Sequence, residues 1–195
     1  MDQFGEGLRE VRRVAAALTT IGVRYALGGS MASSLLGTPR FTRDADLTID
    51  PFPGREQALA NLFGPEYYLS VATIAEANRS LRSFNIINTT NGFKVDVFVR
   101  KDRGFDRSAL DRRIEIKLLD APDEPLYVLA AEDVVLFKLE WYRLGDEISD
   151  RQWNDILGLL KVRRDDLDVQ YLRHWAGELR VDDLLDRALQ EAAEP

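Results

Sequence analysis

The 195-residue sequence contains no cysteine, which excludes disulfide staples and thiolate metal sites. Its single histidine, His174, has no companion ligand set and reads as a surface or interface residue. No apolar run approaches the roughly 18 residues that a membrane-spanning helix needs. The N-terminus, MDQFGEGLREVRR, lacks an apolar signal core. There is no internal repeat. These absences set the expectation of a cytoplasmic protein with no membrane partner.

What is present is ordinary for a globular chain: 45% hydrophobic and 30% charged residues, at a length that suits one domain or a domain with a small appendage. The net charge of −7 is unevenly spread, with 17 basic against 15 acidic residues in positions 1–120 and 9 against 18 in positions 121–195. Such a balance disfavours broad, non-specific binding to nucleic acid. It leaves room for a local basic cleft, for which Arg24, Arg40, Arg43, Arg82, Lys94, Arg100, Lys101 and Arg103 are the available cations.

The stretch around which the chain is arranged is YALGGSMASSLLGTPRFTRDADLTID, residues 25–50. It reads as a strand ending in Gly28-Gly29-Ser30, a helix from Met31 to Leu36, a polar turn through Arg43 and a second strand beginning at Asp44. In that strand Ala45, Leu47 and Ile49 alternate with Asp44, Asp46, Thr48 and Asp50, a period of two. Asp44 and Asp46 therefore share a face, with Cα atoms about 7 Å apart. Two carboxylates this close repel unless a positive charge neutralises them. Hard oxygen ligands on a short strand suit Mg²⁺, which completes its shell with water and phosphate oxygens. The glycines fit the same picture, because a Gly-rich turn lets a phosphate approach backbone N–H groups at a helix N-terminus. The simpler reading of Gly28, Gly29 and Ser30 is a tight turn with a helix cap.

The ordered set Gly28-Gly29-Ser30, then Asp44-x-Asp46, resembles the first motif of the DNA polymerase beta-like nucleotidyltransferase superfamily. Those enzymes carry a third carboxylate on a neighbouring strand, and Asp96 in KVDVFV stands where that residue would be. Further on, AEDVVLFKLEWYR with Lys138, followed by RQWNDIL with Asp155, looks like the lysine helix and aspartate helix of the minimal and AbiEii-type toxin nucleotidyltransferases. The sequence departs from that pattern where Ser149-Asp150-Arg151 replaces the usual Lys-Asp before the second helix.

The resemblance implies an α+β nucleotidyltransferase fold: a mixed, twisted sheet flanked by helices in residues 1–122, with a helical C-terminal region, 123–195, packed against it. It implies a nucleoside triphosphate as substrate and two Mg²⁺ ions held by Asp44, Asp46 and Asp96, which are also the catalytic residues. Gly28, Gly29 and Ser30 would hold the triphosphate, with Thr42, Arg43, Lys138 and Asp155 also at the nucleotide. The acceptor implied by the toxin-type enzymes is tRNA or another RNA, with a cognate antitoxin as a partner. Related enzymes with overlapping motifs act on aminoglycoside hydroxyls or protein side chains, and a non-catalytic nucleotide-binding or regulatory protein is the remaining alternative.

Plainer roles stand beside several of these residues. Arg43 can make an ordinary pair with an aspartate, Lys138 can lay its stem along apolar surface, and Arg151 and Asp155, one helical turn apart, can pair with each other. For Asp96 the plain reading is costly, since an aspartate between valines in a central strand is expensive to desolvate unpaired. The remaining elements are expected as a helix over Leu8–Thr20, a strand over Val23–Leu27 and a helix over Glu56–Phe63. A hairpin is expected over Leu81–Asn88 and Gly92–Val99 about an Asn91-Gly92 turn. A strand over Ile114–Leu119, a polar turn at Pro122–Pro125, and helices over Ala131–Leu144, Arg151–Leu160, Leu167–Leu179 and Val181–Ala192 complete the reading.

Overall fold

The computed structural model describes residues 3–118 and 121–194. In chain order its elements are α1 (Gln3–Thr20), β1 (Tyr25–Gly28), α2 (Gly29–Leu36), β2 (Asp44–Ile49), α3 (Glu56–Ala60), β3 (Tyr67–Tyr68), α4 (Val71–Ser80), β4 (Ser83–Asn88) and β5 (Lys94–Val99). They continue as α5 (Gly104–Asp111), β6 (Ile114–Leu118), β7 (Ala121–Val128), α6 (Ala131–Leu144), α7 (Asp150–Val162), α8 (Val169–Leu179) and α9 (Asp182–Ala193). Two compact units result, one of Met1–Gly28 with Phe41–Val128, the other of Gly29–Arg40 with Leu129–Pro195.

The first unit carries a mixed sheet in the order β3-β4-β5-β2-β1-β7-β6. Its centre follows from the alternation visible in the sequence. Ala45, Leu47 and Ile49 of β2 are buried, as are Val95, Val97 and Val99 of β5. The two strands run parallel, with Ala45 opposite Val95, Leu47 opposite Val97 and Ile49 opposite Val99. Each buried branched side chain contributes about 2 kcal/mol, and a slip of one residue would turn all of them to the other face. Helix α1 covers these strands with Leu8, Val11, Val14 and Leu18, spaced at three and four residues.

The β4–β5 hairpin forms about the expected turn, with Gly92 at φ +72°. Ser70 caps α4 by accepting a hydrogen bond from the Thr73 N–H. Strand β6 begins at Ile114 as expected; Leu119, its expected last residue, lies outside the described residues.

The expected turn at Pro122–Pro125 is corrected: these residues lie within β7, which pairs antiparallel with β6 and parallel with β1. The register passes from Ile116 opposite Leu126 to Leu118 opposite Ala121, so the prolines fall in the irregular part of the ladder. A residue without an N–H is tolerated there because no regular ladder bond is required of it.

The second unit is helical. Helix α2 packs on α6 and α7, α6 on α7 and α8, and α9 on α7 and α8. Met31, Leu36, Val135, Leu139, Ile156, Leu159 and Leu172 are among its buried side chains. Tyr142 and Trp153 stack with ring centroids 5.1 Å apart, and the Arg187 guanidinium lies 4.2 Å from the Trp153 ring centre. Ser149 and Asp168 cap α7 and α8. Among the described residues no helix is long and apolar enough to cross a membrane.

Candidate active site

In the sheet unit, pleating that buries the valines leaves Asp44, Asp46 and Thr48 on the opposite face of β2, with Lys94, Asp96 and Phe98 beside them on β5. Asp46 stands opposite Asp96, and Asp44 opposite Lys94. Neighbouring strands are about 4.8 Å apart, so the backbone brings all three carboxylate-bearing residues into one small patch. On the other side of β2, Gly28 of β1 is the register partner of Asp46.

Each carboxylate has its own setting. The buried Thr42 hydroxyl donates to Asp44 Oδ1 at 2.8 Å, fixing a side chain at the start of its strand. Asp96 Oδ2 is 2.6 Å from Lys94 Nζ. Asn85, opposite Asp96 on β4, donates its amide to Asp96 Oδ1 at 2.6 Å. The Asp96 hydrogen bond raises the Lys94 ammonium above the usual lysine range against partial desolvation, and the charges of Asp96, Asp44 and Asp46 add to it.

Among the described residues no three His, Cys, Asp or Glu side chains converge as a metal-holding group. The donor set nonetheless suits a hard divalent ion: carboxylate oxygens on rigid adjacent strands, with an ammonium already lodged among them as a cation.

The helical unit begins at Gly29, whose φ of +56° is a left-handed conformation that a side chain resists. Ser30 follows in the first turn of α2, and its hydroxyl accepts a hydrogen bond from the Arg40 guanidinium. The same guanidinium donates from Nε to Asp155 Oδ1 at 2.6 Å and from a terminal nitrogen to Asp155 Oδ2 at 2.7 Å. Lys138 Nζ adds a third bond to Oδ2 at 2.8 Å. Burial alone would push the Asp155 carboxyl up; the hydrogen bonds from Arg40 and Lys138 outweigh it and hold the group below the usual aspartate range. Two cations thus share one buried anion beside Ser30. A cavity of about 130 Å³ adjoins them, lined by Ser33, Thr38, Arg40, Asn154, Asp155 and Gly158.

The sequence-expected residues therefore fall into two sets. Gly28, Thr42, Asp44, Asp46 and Asp96 gather on the sheet unit; Gly29, Ser30, Lys138 and Asp155 gather in the helical unit. Arg43 is exposed. Lys138 is buried, with a side chain only 8% exposed, and its ammonium is bound to Asp155. Asp155 takes Arg40 and Lys138 as partners rather than pairing along its own helix with Arg151.

Sequence reasoning gave no individual role to Arg40, Lys94 or Asn85. For Lys94 a signal existed, since it lies two residues before Asp96 and so on the same strand face. For Arg40 and Asn85 only tertiary structure brings the partners together.

No protein-family model matches the chain, and no curated protein does. Solved structures do match, and what they share with this chain is the fold, a mixed β-sheet flanked by helices with a helical C-terminal region. One is the antibiotic-resistance factor ANT(2'')-Ia in solution, at 16% identity and TM-score 0.52, covering 95% of this chain and 98% of that one. An antigenic nucleotidyltransferase-like protein from Paracoccidioides brasiliensis matches at 17% identity and TM-score 0.54, covering 95% and 93%. The complex of ANT(2'')-Ia with adenylyl-2''-tobramycin matches at 13% identity and TM-score 0.51, covering 88% and 95%.

Proposed function

We propose that this chain is a metal-dependent nucleotidyltransferase that moves a nucleoside monophosphate from a nucleoside triphosphate to a hydroxyl of a small acceptor of the aminoglycoside class. The observation that carries the chemistry is the register of Asp46 opposite Asp96, with Asp44 on the same face. Asp44, Asp46 and Asp96 would hold Mg²⁺. Once bound, such ions supply positive charge at the attacking and leaving oxygens of an in-line displacement.

The protein's own residues have the following parts. Thr42 orients Asp44 through its hydroxyl. Asp96 takes the proton of the acceptor hydroxyl as that oxygen bonds to the α-phosphorus. The bond from the α-phosphorus to its bridging oxygen breaks, and pyrophosphate leaves with the electron pair. Gly28, the register partner of Asp46, offers backbone to the phosphates. No covalent enzyme intermediate is needed.

The acceptor class draws support from the shared fold with ANT(2'')-Ia, whose complex holds an adenylylated tobramycin. The excess of acid over base in residues 121–195 suits a polycationic acceptor better than a polyanionic one. Transfer to RNA under an antitoxin's control rests on motif resemblance alone and is the weaker reading.

The test incubates wild-type protein and Asp46→Asn with each α-labelled triphosphate, Mg²⁺ and one of three pools: an aminoglycoside panel, total RNA or cell protein. Asp46-dependent label in the aminoglycosides is the expected result. Label in RNA or protein alone would overturn the acceptor class, and label that persists in Asp46→Asn would overturn the assigned chemistry.

A further inference from the structure

We infer that Lys94 is a resident counter-ion on the carboxylate face, holding Asp96 until a divalent cation displaces the ammonium. The inference rests on the metal-dependent reading above and adds to it a residue that the metal must compete with.

Placement comes first. Lys94 precedes Asp96 by two residues and is the register partner of Asp44, so its side chain emerges on the carboxylate face. Its ammonium pairs with Asp96 Oδ2 at 2.6 Å, while Asn85 occupies Oδ1. Asp96 is thereby held by two donors from its own sheet.

Charge follows. The ammonium cancels the charge of Asp96, one of the three carboxylates on the face. Lifting it away frees that carboxylate for the incoming ion. The exit is open, since the Lys94 side chain is 39% exposed against 17% for Asp96. A flexible four-carbon stem and a compact, strongly hydrated charge suit a group that must leave on demand. A pair this exposed is weak enough to exchange.

The same geometry separates Lys94 from Lys138. The latter's buried ammonium is bound to a buried carboxylate and is a fixed part of its unit. Lys94 is the exchangeable one.

The experiment measures Mn²⁺ binding by calorimetry and the Mn²⁺-induced rise in Tm for wild type, Lys94→Met, Lys94→Gln, Lys94→Arg and Asp46→Asn. Removing the competing charge is expected to tighten Mn²⁺ binding about fivefold in both neutral variants, the upper range for a partly exposed pair. Their Tm should fall without metal and recover more steeply with it, whereas Lys94→Arg should stay close to wild type. Should Lys94→Met fail to fold, Lys94→Gln carries the same comparison. Equal or weaker Mn²⁺ binding in the neutral variants, with wild-type binding intact and sensitive to Asp46→Asn, would overturn the role of Lys94 and leave the metal site standing. No Mn²⁺ binding by any of the proteins would overturn the metal reading itself, and this inference with it.

Discussion

Arg40 and Asp155, 115 residues apart in sequence, are joined by two parallel hydrogen bonds of 2.6 and 2.7 Å. The fork geometry matches guanidinium to carboxylate and is the strong form of the charged pair. Removing Arg40 leaves Asp155 with Lys138 alone of these two cations, and removing Asp155 takes the shared anion from both. Arg40→Met and Asp155→Ala are each expected to cost about 3 kcal/mol. Because they share one network, the double variant should cost less than the sum of the two by at least about 1 kcal/mol. Denaturant unfolding of the four proteins checks this; additive losses would show that the pair does not act as a unit.

The same carboxylate gives acid sensitivity with a definite sign. Asp155 is held below its unfolded value, so the unfolded state binds more protons in acid. Its contribution is fully present above the ordinary aspartate pKa of about 3.9 and is lost as pH falls from there through the lower folded value. The stability gap between wild type and Asp155→Asn should therefore narrow as pH drops below about 4. Unfolding curves across that interval measure it, and a gap that widens in acid would contradict the sign.

Thr42→Val keeps the shape of a buried side chain while deleting the hydroxyl bound to Asp44. The expected stability loss is about 1 kcal/mol. Under the proposed reaction the Mg²⁺ concentration for half-maximal turnover should rise, because Asp44 is no longer held in place. Metal titration of the activity separates this from a general loss of fold, which would lower turnover at every metal concentration.

Gly29→Ala places a side chain at φ +56°, where Cβ meets the backbone. A loss of about 1–2 kcal/mol is expected. Gly5→Ala is the control, since a Cβ there meets nothing within 4 Å in a helix where alanine is favoured. Equal effects of the two changes on the unfolding midpoint would remove the special status of Gly29.

The sheet's centre could be read from the sequence because its signals are local. The period-two pattern in Asp44–Ile49 and Lys94–Val99 marks both strands and both faces, and Asn91-Gly92 marks the hairpin between β4 and β5. Two prolines within Ala121–Val128 give the opposite local signal. That strand's partners include Leu27, some 100 residues earlier, and no short window of sequence contains such a pairing. The site divides in the same way. Lys94 lies within two residues of Asp96, so the face they share was readable even though its consequence was not. Arg40, by contrast, sits in a turn between two elements, and its partners Ser30 and Asp155 are revealed only by packing. Asp155 has a local partner one turn away in Arg151, and only the motif resemblance points past it to Lys138 or another basic residue.

Helix α2 is a piece of the helical unit carried on an early part of the chain. The helices it packs against, α6 and α7, begin about 95 and 114 residues after α2 ends. At roughly 5–20 residues per second of synthesis, its apolar side chains wait on the order of 5 to 20 seconds for their partners. Met31, Ala32 and Leu36, buried in the finished protein, are thus a surface that a nascent-chain chaperone would meet. Newly made protein stalled before Ala131 should be more easily cut by protease around α2 than released full-length chain.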